Sequence, residues 1–251
     1  MTVLVTGGSR GIGLACALHL AREGRRVVIA ARRETGLQEA VSTAAKEGLT
    51  LIPVVLDVSD LYSVERVLGE ICTTGLDVLV HAAGVSALSH YTDHNDPNLW
   101  QKVMRTNLDG AYYCARSVLQ CMHQHEPVAP RRLVFISSVL GLKGMAMSHA
   151  YCAAKHGVNG MVKALAQDVA ATQITVNSVC PGWVDTAMAR QDFTAMAARY
   201  QIPEELLISE EIQSVPIQRW IQASEVAALV SYLCSEAAGA ITGQCLEISG
   251  G

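Results

Sequence analysis

Aromatic residues and charge are both scarce in this sequence. Phe, Trp and Tyr make up 5% of its 251 residues, with only two phenylalanines, and 17% are charged. Basic excess is absent: 19 Lys and Arg face 23 Asp and Glu, a net charge of −4, so the footprint of a nucleic-acid-binding protein is missing. Long apolar runs are missing as well. The longest uncharged stretch, Val169 to Val184, is interrupted by Asn, Gln and Pro, which argues against a membrane span. The opening Met-Thr-Val-Leu-Val-Thr-Gly-Gly lacks the basic region and long apolar core of a signal peptide. There is no internal repeat, no low-complexity stretch and no Pro-rich linker. Half of the residues are hydrophobic and the mean hydropathy is +0.26, too apolar for disorder. The expectation is a cytoplasmic globule large enough for one α/β domain.

Eight cysteines are present, but no two form a C-x-x-C pair, and most lie in apolar stretches. They are expected as small buried hydrophobes in a reducing compartment, without a disulfide framework. His90 and His94 are four apart and His123 and His125 two apart, yet neither pair has a third ligand at a metal-site spacing. No metal is expected.

What the chain does have is alternation. Short β-branched runs occur at Val3–Val5, Val27–Ile29, Leu51–Leu56, Val78–Val80, Leu133–Ile136, Ile174–Val176 and Cys245–Ile248. Between them lie amphipathic segments near 12–23, 36–47, 60–73, 98–123, 150–171 and 224–235, with Asp60 and Ser224 as expected N-caps. Continuous apolar strands separated by helices predict a seven-stranded, doubly wound parallel sheet of Rossmann type, helices on both faces, in a single domain over 1–251. The Met/Ala/Glu-rich stretch 187–215 carries no strand signal and is expected to be a helical lid.

Thr6-Gly-Gly-Ser-Arg-Gly-Ile-Gly13 follows the first strand and opens a helix. Gly7, Gly11 and Gly13, with Ser9, Arg10 and Ile12 between them, form a variant of the dinucleotide fingerprint. Glycine allows the tight turn and close approach to a pyrophosphate, and the helix N-terminus supplies free N–H groups. The second strand ends Ile29-Ala-Ala-Arg-Arg33 with no carboxylate before Glu34. An NAD site usually places an acid there for the ribose 2′-OH; Arg32, with Arg10, suits a 2′-phosphate instead, so NADP(H) is expected. Were the strand to end later, Glu34 would take the diol and reverse the choice.

Tyr151 and Lys155 are four apart on one helix face, hence adjacent, and Ser138 lies thirteen residues before Tyr151 at a strand end. A free phenol with a pKa near 10 is a poor base at neutral pH, and a neighbouring ammonium favours its phenolate.

These residues resemble, over the whole chain, the short-chain dehydrogenase/reductase family: T-G-x-x-x-G-x-G at 6–13, Ser138, Y-x-x-x-K at 151–155, and Asn107 in Thr-Asn-Leu-Asp-Gly. The resemblance implies that Tyr151 is the general acid for reduction and that Ser138 holds the substrate oxygen. Lys155 would bind the nicotinamide ribose and lower the Tyr151 pKa, and Asn107 would position a relay water. It implies an adenine contact at Asp57 and Val58, close cofactor approach at Gly84, and a nicotinamide loop at Pro181, Gly182, Val184 and Thr186. The family's usual N-N-A-G after the fourth strand is here His81-Ala-Ala-Gly84.

Within the family the sequence looks most like 3-oxoacyl-acyl-carrier-protein reductases and polyketide ketoreductases. That implies NADPH-dependent reduction of a 3-oxoacyl or polyketide-like ketone, with Met145, Met147, Trp183 and Met188 as an apolar substrate lining. Arg131-Arg132 stands where a carrier-gripping arginine is expected, while Thr172 occupies the second such place, so a carrier-protein partner stays open. Oxidation of a free cyclic, steroid or sugar-like alcohol is the alternative, and a non-catalytic dinucleotide sensor a more remote one. Segments 98–123 and 150–171, with the C-terminal strand, imply a homotetramer.

Overall fold

The computed structural model describes residues 1–90, 98–126 and 129–251. His94 therefore lies outside the described residues. Seven strands pair in parallel: β1 (Thr2–Thr6), β2 (Arg26–Ala31), β3 (Leu51–Val55), β4 (Val78–His81), β5 (Arg131–Ile136), β6 (Ile174–Pro181) and β7 (Cys245–Ile248). Their order is β3-β2-β1-β4-β5-β6-β7. All seven expected strands are present; the five inner ones are apolar runs largely buried on both faces, as a parallel sheet covered by helices requires, while the edge strands β3 and β7 are only partly buried. Pro53 is tolerated because β3 is an edge strand.

The strand order reverses between β1 and β4. At such a switch point the connections leave in opposite directions and open a crevice beyond the carboxyl ends of the strands. One core lies under helices α1 (Gly11–Arg22), α2 (Glu34–Lys46) and α9 (Ala223–Leu233), where Leu20, Leu37 and Val230 pack on Val5, Ile29 and Val80. The other lies under α3 (Leu61–Cys72), α5 (Gly110–Gln124) and α6 (His149–Val169), where Leu68, Val118 and Val162 pack on Leu4, Leu79 and Leu133.

Several local expectations are corrected. The segment 98–123 is not one helix: α4 (Leu99–Met104) passes through a π-turn, Arg105–Asp109, into α5. Asp60 does cap α3, accepting from the Tyr62 N–H at 3.1 Å, but Ser224 does not cap α9. That helix starts one residue earlier, and Gln222 and Glu225 form a reciprocal capping box. The cysteine expectation fails at one pair: Cys72 on α3 and Cys121 on α5 form a disulfide, their Cα atoms 5.7 Å apart. They are 49 residues apart in sequence, so only the packing of the two helices brings them together.

Two further helices, α7 (Ala187–Tyr200) and α8 (Glu204–Ser214), fill the stretch without strands. They carry a small apolar cluster of their own, in which Phe193 lies 4.5 Å from Trp183 and 5.4 Å from Trp220, ring centre to ring centre.

Candidate functional site: a cleft over the sheet switch point

A cleft of about 1160 Å³ runs along the carboxyl ends of the strands. Its floor at one end is the glycine turn. Gly7 has φ +67°, and a Cβ there would lie 2.7 Å from the Ala82 carbonyl oxygen; a Cβ on Gly13 would lie 2.3 Å from that of Gly7. Only glycine lets β1, the turn and the loop after β4 come this close. The first turn of α1 carries no acidic residue, and Arg10 at its N-cap makes no side-chain cap bond. The N–H groups at that end are thus available to an anion.

Arg10 and Arg32 are exposed and line this end, as does Arg33, which was not singled out from the sequence. β2 ends at Ala31 and Glu34 opens α2 outside the cleft lining, so the acid that would have favoured a ribose diol is not at the strand end. Glu39, a turn further along α2, does line the cleft. Val58 lines it too, whereas Asp57 does not: its Oδ1 accepts from the Ser59 N–H at 3.0 Å and hydroxyl at 2.7 Å.

At the other end stand Ser138, Tyr151 and Lys155. Ser138 follows β5 and starts a 3-10 turn, its Oγ accepting from the Leu140 N–H at 3.1 Å. That turn is clamped onto α6 because Asn159 Nδ2 donates to the Gly141 carbonyl at 3.0 Å. Tyr151 and Lys155 share a face of α6, Lys155 Nζ standing 5.5 Å from the phenol ring centre. Lys155 is buried, donates to the Ile136 carbonyl at 2.8 Å, and is pulled down to about 8 by that burial.

The Tyr151 phenol departs from expectation. Burial raises its pKa above the ordinary phenol value, and the Asp192 charge raises it further, against a smaller opposing hydrogen bond with Ser138. Burial disfavours the charged phenolate. The ground state is a phenol that keeps its proton.

Asn107 sits in the π-turn, buried, with its amide paired to one residue: Oδ1 accepts from Val85 N–H at 2.8 Å and Nδ2 donates to the Val85 carbonyl at 2.9 Å. Its side chain therefore ties down the loop after β4, and it does not line the cleft. Gly84 does line it, and a Cβ there would meet Asn107 Oδ1 at 3.4 Å. His81, in place of the family's usual Asn, is buried beneath, its Nδ1 3.0 Å from Thr6 Oγ1 and its pKa pushed down to about 3 by desolvation and by Lys155.

Pro181, Gly182, Val184 and Thr186 run along the cleft from the end of β6. Thr186 caps α7, its Oγ1 accepting from the Ala189 N–H at 3.3 Å. Met145, Trp183 and Met188 line the substrate end; Met147 does not, its backbone turned to φ +64° and its carbonyl accepting from Ser89. Lining residues here that were not singled out from the sequence include Ser86, Asp192, Met196 and Glu211. None belongs to a motif; folding alone gathers them.

Arg131 and Arg132 lie at the opposite, amino end of β5. Arg132 is buried, with Nη2 donating to the Ser235 carbonyl at 3.2 Å, and Arg131 donates to the His125 carbonyl. They do not form a docking pair at the cleft mouth. Among the described residues no helix is long and apolar enough to cross a membrane.

Comparison with known proteins agrees with this architecture. A family model described as short chain dehydrogenase matches residues 1–197. A ketoacyl reductase assigned to the monensin polyketide synthase of Streptomyces virginiae is 39% identical over 99% of this chain and 95% of its own. The 3-oxoacyl-acyl-carrier-protein reductase of Haemophilus influenzae is 35% identical over 99% of this chain and 96% of its own. A crystal structure of a variant actinorhodin polyketide ketoreductase with NADPH superposes with a TM-score of 0.93 at 36% identity, covering 100% of this chain and 96% of that one.

Proposed function

The chain belongs to the short chain dehydrogenase family, and from that premise we propose that it is an NADPH-dependent ketoreductase, converting a ketone to a secondary alcohol. One observation carries the reading: the glycine cradle and the Ser138–Tyr151–Lys155 cluster line a single continuous cleft. The residues present fit a dinucleotide. The Gly7–Gly13 cradle admits a pyrophosphate against the open end of α1, and Arg10, Arg32 and Arg33 suit a 2′-phosphate. When bound, the nicotinamide supplies the hydride, and the protein supplies orientation and a proton.

Ser138 Oγ and the Tyr151 hydroxyl orient the carbonyl oxygen, and Tyr151 donates the proton to it. At neutral pH the phenol carries the proton that reduction needs, and burial raises its pKa further. Lys155 would hold the ribose side of the cofactor, and its ammonium would return a proton to Tyr151 and take one back from solvent. Asn107 acts at one remove, fixing Val85 and with it the loop that carries Gly84. Helices α7 and α8 serve as the lid. The fuller reading includes a cytoplasmic homotetramer and, as one form of substrate, a thioester on a carrier protein. A panel of acetoacetyl thioesters, cyclic ketones and steroids with NADPH tests the function. Turnover of none of these ketones, with NADPH bound normally, would leave a binding protein on the same fold.

A further inference from the structure

The substrate end of the cleft is apolar on one side and anionic on the other. Met145 and Met188 offer apolar surface, while α7 presents the Asp192 carboxylate. Among the described residues the Ser86 hydroxyl is its one donor. The neighbouring cation on the same helix, Arg190, is turned away, 2.7 Å from Asp185 and stacked over Trp220. Lys155 is held by Ile136, and Glu211, the other acid here, accepts from Trp183 Nε1 at 3.3 Å. Among the described residues Asp192 has no ion-pair partner.

An ionised carboxylate accepts several hydrogen bonds, and one donor leaves most of that capacity directed at the cleft. Water satisfies it while the cleft is open. A bound substrate displaces that water, and a plain acyl chain would leave a desolvated charge without partners, which is strongly unfavourable. A hydroxyl on the substrate would satisfy it with a charge-assisted bond.

We propose that Asp192 is a specificity-determining residue that accepts a hydrogen bond from a substrate hydroxyl near the reacting carbonyl, so that the preferred substrates are hydroxylated ketones. The inference rests on the ketoreductase reading and names the substrate class for that site. Asp192 has a second, electrostatic consequence. Its charge acts on Tyr151, which is also faced by Lys155 and Cys152 from α6, with Glu211 on α8 and Lys143 on the cleft rim. Removing that negative charge stabilises the phenolate and moves the basic limb governed by Tyr151 to lower pH.

The test compares 2-tetralone with its ring-hydroxylated isomers in the full-length enzyme with NADPH. Wild type should favour at least one hydroxylated isomer by about tenfold or more in kcat/KM. Asp192→Leu should bring the ratio to about one or below, and Asp192→Asn should lower it while shifting the pH limb of alcohol oxidation downward. Ser86→Ala should keep the preference, since it leaves the acceptor in place. Calorimetric binding of the corresponding alcohols to the enzyme–NADP+ complex gives the same ratio without turnover. An unchanged ratio in both Asp192 variants, by kinetics and by calorimetry, overturns the inference while leaving the ketoreductase standing. If no ketone turns over, the ketoreductase reading fails, and the calorimetric ratio still decides the role of Asp192.

Discussion

At the nucleotide end of the cleft the surface is largely backbone. Gly7, Gly11 and Gly13 have no side chains, and the groups offered to a ligand are N–H donors of the turn and of α1, rimmed by arginines. At the substrate end the surface is side chains: Met145 from a loop, Trp183 after β6, Met188 and Asp192 from α7, Glu211 from α8. The first end has a shape suited to a part common to every dinucleotide, and at Gly7 and Gly13 it leaves no room for a Cβ. The second is built on helices with their own small core, Phe193, Met196 and Leu207, and its chemistry can change residue by residue without disturbing the sheet. A family can therefore share one cofactor cradle and differ in substrate.

The two ends meet at Tyr151, and the largest expected effect lies there. Tyr151→Phe should lower turnover by about 10²–10⁴-fold, the usual worth of positioned proton transfer, with little change in NADPH affinity by fluorescence titration. Substantial residual turnover would require another acid. Gly13→Ala tests the rigidity of the nucleotide end. Its Cβ would sit 2.3 Å from the Gly7 carbonyl, so destabilisation of about 1–3 kcal/mol is expected in thermal unfolding, together with weakened NADPH binding.

Arg32→Asp asks whether the arginine rim reads the 2′-phosphate. A charge-assisted bond of about 1.5–3 kcal/mol predicts a loss of roughly tenfold or more in kcat/KM with NADPH relative to NADH. Equal losses with both cofactors would remove Arg32 from that role.

The pH dependence sharpens the junction. Lys155 is held down to about 8 by burial, so it loses its proton as pH rises through that value, while Tyr151 keeps its own. Reduction should decline above about pH 8, and Lys155→Arg should abolish that limb, since guanidinium stays charged. The sign for folding is the reverse. A depressed lysine binds fewer protons folded than unfolded, so its contribution to stability rises between about pH 8 and the ordinary lysine range near 10.4. The smallest effect belongs to the lid: Trp183→Phe removes one hydrogen bond to Glu211 and should change KM for ketones by a few-fold, with NADPH affinity unchanged.

The sequence by itself determined the seven strands, the glycine turn and the Tyr151–Lys155 pair. These depend on short-range periodicity and on backbone demands that few residue types satisfy. It also placed two arginines at the glycine-turn end of the cleft, because a strand end fixes its neighbours within a residue or two. Tertiary structure alone decided the rest. The Cys72–Cys121 pair depends on α3 packing against α5, and the Asn107 amide is taken up by Val85, 22 residues away in the chain. Arg132 looked available in a run of two arginines, yet the fold buries it against Ser235, 103 residues on. The Tyr151 proton followed the same rule. Its neighbour Lys155 is visible four residues along the helix, but the desolvation and the Asp192 charge that raise the phenol pKa exist only once α7 has folded over the cleft.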